Sequence, residues 1–77
     1  MPTLYQQVEK LTRLVLTEFG FQIPSDVNID KAKQIMADAA QFGLLFELKK
    51  SKLDFRLFVF EATYKNKMIL KQHITCN

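Results

Sequence analysis

His73 and Cys76 are the only histidine and the only cysteine of the chain, and they stand three residues apart near its C-terminal end. An imidazole works as a general base only beside a nucleophile and an oriented substrate, and nothing in the sequence supplies either for this one. His73 therefore reads as an edge-strand residue flanked by Lys71 and Thr75. A single cysteine forms no intramolecular disulfide and no cysteine zinc cluster, and neither a Cys-x-x-Cys nor a papain-like arrangement activates Cys76. A dimer through the sheet is the setting in which two such thiols would meet.

Asp26-x-Asn28-x-Asp30 has the odd-position oxygen ligands that open a calcium-binding loop. Lys31 stands where that loop turns on glycine, and Ala37 where it needs a bidentate carboxylate. Caps and first-turn carboxylates beside a helix dipole explain these residues more simply. Gly20 and Gly43 are the only glycines, and each follows a helical stretch, so no glycine-rich loop is placed to cradle phosphate. The sequence leads us to expect no catalytic residue, cofactor, metal or small-molecule substrate.

The lysines are the remaining chemical feature. Of the net charge of +3, residues 1–43 contribute −1 and residues 44–77 contribute +4. Lys49, Lys50, Lys52, Lys65, Lys67 and Lys71 are thus candidate contacts for nucleic acid or an acidic partner. In a three-stranded meander the two hairpin loops lie at opposite ends, so these lysines make no single track, and only Phe58, Phe60 and Tyr64 beside Lys65 and Lys67 interleave rings with charge. Neither a helix-turn-helix nor a complete winged helix is visible, because only two helices precede the strands and the second lacks a basic face.

Two helices must come first. Leu4, Val8, Leu11, Val15 and Phe19 form one stripe, which predicts a helix from Leu4 to about Phe19 with Thr3 as N-cap and Gly20 as left-handed terminator. Ile29, Ala32, Ile35, Met36, Ala39 and Phe42 make a second stripe, starting somewhere in residues 26–31 and ended by Gly43. From Leu44 the hydrophobic period falls to two, predicting strands over about 44–49, 54–64 and 68–75.

A four-residue loop over residues 50–53 pairs Lys49 with Asp54, Leu48 with Phe55, Glu47 with Arg56 and Phe46 with Leu57, each chemically matched. A three-residue loop over residues 65–67 sets Tyr64 against Met68, Ala62 against Leu70, Glu61 against Lys71 and Phe58 against Ile74. These registers put Leu44, Phe46, Leu48, Phe55, Leu57 and Val59 on one face, which we assign to the helices. Leu45, Phe58, Phe60, Ala62, Tyr64, Met68, Leu70 and Ile74 fall on the other, which is too apolar for water. Three arrangements answer this: dimerisation through that face, a bulge near Val59 to Glu61 that flips the strand, or one helix on each face.

A chain of 77 residues that is 48% hydrophobic and 25% charged has the composition of one small folded domain over residues 1–77. No leader-like opening and no apolar run of membrane-spanning length is evident, so the expectation is a soluble, cytoplasmic protein. The fold class expected is α+β in the order ααβββ, two N-terminal helices packed on a three-stranded antiparallel meander. The expected function is a non-enzymatic protein-interaction module, an adaptor, inhibitor or regulator, that homodimerises or grips a protein partner. Its contacts would be Leu45, Phe58, Phe60, Tyr64, Met68, Leu70 and Ile74. Nucleic-acid binding by the basic sheet half is the alternative.

Overall fold

The computed structural model describes residues 2–76, and its elements follow the order α1 (Leu4–Glu18), α2 (Ile29–Phe42), β1 (Leu44–Lys50), β2 (Leu57–Tyr64) and β3 (Lys67–Thr75). This is the α+β arrangement expected, two helices and then an antiparallel sheet of spatial order β1-β2-β3. No described helix is long and apolar enough to cross a membrane.

Local chemistry sets the helix ends. Thr3 Oγ1 accepts from the Gln6 amide at 3.1 Å while Gln6 Oε1 accepts from the Thr3 amide at 2.9 Å, a reciprocal capping box. At the other end Gly20 adopts φ +87°, which lets the Phe21 and Gly20 amides reach back to the Leu16 and Thr17 carbonyls at 3.0 and 2.9 Å. The chain then folds under α1, and Arg13 fastens the return by donating to the Pro24 and Ser25 carbonyls. Asn28 caps α2 by accepting from the Lys31 amide at 2.8 Å, and Gly43 ends that helix at φ +101°. Asn28 is thus engaged in capping, and among the described residues no three His, Cys, Asp or Glu side chains group as metal ligands.

The first hairpin departs from the sequence-based register. Leu44 pairs with Tyr64, Phe46 with Ala62, Leu48 with Phe60 and Lys50 with Phe58, so β1 lies five positions further along β2 than the matched pairs suggested. Between Ser51, whose amide still bonds the Leu57 carbonyl, and Arg56, whose carbonyl accepts from the Cys76 amide, residues 52–55 form a loop instead of pairing. Ser51 Oγ accepts from the Leu53 amide, Asp54 Oδ1 accepts from the Arg56 amide at 2.9 Å, and Asp54 also meets the Arg56 guanidinium at 3.6 Å. Asp54 and Arg56, the expected cross-strand partners of Lys49 and Glu47, therefore satisfy each other within the loop, and Phe55 is left exposed there.

The second hairpin follows the expected register from Phe58↔Ile74 to Ala62↔Leu70. Its end differs. Lys65 and Asn66 sit at φ +49° and +69°, the left-handed pair of a two-residue turn, so Tyr64 meets Lys67 and Thr63 meets Met68. Ile69 is the extra residue of a bulge between these pairs and the rest of the ladder.

An odd-numbered shift exchanges the faces of a strand, and this one brings both apolar sets to the same side. Leu44, Phe46 and Leu48 of β1 now share a face with Phe58, Phe60, Ala62 and Tyr64 of β2 and with Leu70 and Ile74 of β3. Val15, Leu16, Ala39, Leu44 and Ala62 form the core cluster, so both helices cover this one side. Phe60, Ala62 and Ile74 are 1%, 0% and 2% exposed, which places them in the interior of the protomer. Phe19, Phe21, Phe42 and Tyr64 close the end nearest the second hairpin, with Phe19 and Tyr64 ring centroids 4.9 Å apart.

Candidate functional site

Among the described residues no element covers the side of the sheet away from the helices. The same ladder that buries Phe60 directs Leu45, Glu47 and Lys49 of β1, Leu57, Val59, Glu61 and Thr63 of β2, and Met68, Lys71, His73 and Thr75 of β3 to this open side. At the end near the second hairpin Leu45 and Met68 are each 50% exposed on either side of Thr63, beside the exposed bulge residue Ile69.

The centre of this surface is charged. Glu47 stands directly opposite Glu61 in the ladder, an arrangement that destabilises a sheet unless a cation intervenes. Lys49 intervenes. Its Nζ lies 3.2 Å from Glu61 and 3.8 Å from Glu47, while Lys71 faces Glu61 across the β2–β3 pair. The bond to Glu61, reinforced by the negative charges of Glu47 and Glu61, raises the Lys49 pKa above its ordinary value of 10.5. Glu61 is 8% exposed at the middle of the sheet, whereas Glu47 and Lys49 stay in water at the β1 edge.

That edge is open to pairing. The Lys65 amide donates to the Gly43 carbonyl and the Ser51 amide to the Leu57 carbonyl, both at 2.9 Å. With these two bonds at the ends of one continuous ladder, the odd-numbered residues of β1 face β2 and the even-numbered ones, Phe46, Leu48 and Lys50, turn their backbone N–H and C=O groups outward. Leu48 is 42% exposed there. Residues 67–75 form the opposite edge, and Lys67, Lys71, His73 and the bulge at Ile69 guard it.

Of the residues expected to contact a partner, Leu45 and Met68 lie on the open side. Phe58, Phe60, Tyr64, Leu70 and Ile74 fall on the side of the sheet that the helices cover, with Phe60 and Ile74 buried, and the face that carried them as a free surface is corrected by the five-position shift in register. The lysines are dispersed. Lys49 and Lys50 end β1 and Lys52 sits in the following loop, Lys65 lies in the far turn with Lys67 just after it, and Lys71 lies mid-strand. Six or so residues of strand, roughly 20 Å, separate the two ends. Lys65 Nζ lies 5.2 Å from the Tyr64 ring centroid, the one lysine–aromatic pairing of the interleaved set.

Two grooves flank the helices. One of 350 Å³ opens between α1 and α2, with Tyr5, Val8, Leu16, Ile23 and Ile35 among its walls and Glu9 and Arg13 at its rim. Those two rim charges pair with each other at 3.8 Å, and Arg13 also binds two backbone carbonyls. The other, of 360 Å³, lies between the start of α1 and β3 and brings His73 near Lys10, Gln6, Gln7 and Gln72, with no carboxylate among the lining residues. Cys76, half-buried, donates its backbone N–H to the Arg56 carbonyl at 2.7 Å.

No known protein family matches the chain, and no curated protein or solved structure is found similar to it. The sequence reading missed the Glu47–Lys49–Glu61 group because it paired Glu47 with Arg56. Its one legible signal is the period of two in Leu44, Phe46 and Leu48 against Glu47 and Lys49, which assigns those charges to the open side whatever strand lies beside them.

Proposed function

We propose that the chain is a non-enzymatic protein-interaction module that associates through its open sheet side and the β1 edge bounding it. The observation that carries this is a sheet covered on one side only, with Leu45, Met68 and Ile69 half-exposed on or beside the bare side and unpaired backbone at β1. A three-stranded sheet that offers exposed apolar residues next to a flat edge has the two elements of strand-addition recognition: main-chain bonds for affinity and flanking side chains for selectivity. The non-enzymatic part rests on the two grooves. One has its charges engaged in structure, and the other sets His73 among a lysine and amides instead of a carboxylate. A chain whose single cysteine is free suits a reducing compartment such as the cytoplasm.

The test is a paired variant, Leu45→Lys with Met68→Lys, compared with wild type by light scattering on a sizing column under reductant and by capture on an immobilised chain. The expected result is a folded variant whose retention of a partner protein on the open side is weakened, while any association through the β1 edge persists. A wild-type chain that neither self-associates nor retains a protein, or association indifferent to this pair and to the β1 edge alike, would contradict the reading.

A further inference from the structure

The unpaired edge of β1 carries a charge pattern that selects its own partner. We infer that β1 pairs antiparallel with β1 of a second copy, about a two-fold axis through Leu48, to make one continuous six-stranded sheet. This rests on the interaction-module reading and names the partner within it.

The register follows from parity and charge. Phe46, Leu48 and Lys50 present the outward backbone groups, so a second β1 can bond only in registers that set even-numbered residues against even-numbered ones. Among the central registers of that kind, a shift to one side stacks Glu47 on the partner's Glu47, and a shift to the other stacks Lys49 on the partner's Lys49. Only the register centred on Leu48 sets Glu47 against the partner's Lys49 and Lys49 against the partner's Glu47. Both pairs then lie on the open side, clear of the helices, where each Glu47–Glu61 couple gains a second cation beside its own Lys49.

The helix-covered side agrees with this register. Leu48, 42% exposed in the single chain, meets the partner's Leu48 across the axis, and the aliphatic stem of each Lys50 crosses the partner's Phe46. About six main-chain hydrogen bonds form between the outward groups of residues 46, 48 and 50. The other edge gives no such solution. Residues 67–75 contain Lys67, Lys71 and His73 and no acidic side chain, and the bulge at Ile69 breaks their flatness.

A charge-reversal mixing experiment tests the pairing. Glu47→Lys gives a chain whose introduced lysine opposes the partner's Lys49, and Lys49→Glu gives one whose introduced glutamate opposes the partner's Glu47. Each alone is expected to self-associate about tenfold or more weakly than wild type in sedimentation velocity. Mixed in equal amounts they are expected to form a mixed dimer, identified by mass in native mass spectrometry, because both cross-copy positions then carry like charges only within a chain and opposite charges between chains. Leu48→Pro removes an outward N–H at the axis while sparing the β1–β2 ladder, and is expected to leave a folded monomer. A mixture that stays monomeric while wild type dimerises would overturn the register. A wild type monomeric at the highest concentration would overturn the second copy, while retention of a different protein through Leu45 and Met68 would leave the module reading standing.

Discussion

Alternate residues of the same three strands build two unlike surfaces, one under the helices and one away from them. The covered side has Phe60, Ala62 and Ile74 almost fully enclosed, with their neighbours fixed by α1 and α2. The open side has Leu45, Glu47, Lys49, Met68 and His73, most of them half in water. A few ångströms of backbone separate a region where volume decides stability from one where charge order does. Substitutions one residue apart should therefore differ sharply in effect.

The largest contrast is at the centre of β2. Phe60→Ala removes a buried ring packed 5.9 Å from Phe46, and the expected loss is about 3–5 kcal/mol by urea denaturation. Ala62→Leu forces added volume between the sheet and the helix residues Val15, Leu16 and Ala39, with an expected loss of about 1–3 kcal/mol. If either change proved neutral, the helices would not be seated on this side. Gly43→Ala comes next, at about 1 kcal/mol or more, because φ there is +101° and a Cβ would stand 3.1 Å from Lys65 Cγ. On the open side, His73→Ala should change the unfolding free energy by no more than about 0.5 kcal/mol. A larger loss would show that something covers that side.

The smallest effect is electrostatic. The Lys49 pKa is raised by Glu61 and Glu47, so the contribution of the charged amine is complete below the unfolded-chain value of about 10.4 and is lost as pH climbs through the higher folded value. The stability difference between wild type and Lys49→Gln should therefore be present at about pH 9 and fade above about pH 10.4. A difference that persists unchanged through that range would mean that the lysine acts by packing.

Much of this architecture was legible in the sequence, and the part that was not has a definite physical origin. Thr3, Gly20 and Gly43 marked helix ends because capping and left-handed backbone are local demands. The β2–β3 register was legible over Phe58 to Ala62 because a short connection leaves few alternatives and Glu61 finds Lys71 opposite. The β1–β2 register was not, since its connection is long enough to fold on its own. Lys49–Asp54 and Glu47–Arg56 are good pairs on paper, but Asp54 and Arg56 pair with each other in the loop. The actual ladder contains Glu47 opposite Glu61, which pairwise charge matching rejects and which a third residue, Lys49, makes tolerable. The candidate surface was lost with the register. An apparent second apolar face was the covered face read with the wrong parity, and of its members Leu45 and Met68 alone remained on the open side.

Residue-resolved amide exchange along β1 tests that parity most directly. In dilute solution the expected result is alternation, with Leu45, Glu47 and Lys49 protected by β2 and with Phe46, Leu48 and Lys50 exchanging fast. Protection of Phe46, Leu48 and Lys50 with fast exchange at Leu45, Glu47 and Lys49 would mean that β1 pairs in the opposite parity, and both the covered core and the open edge described above would be wrong.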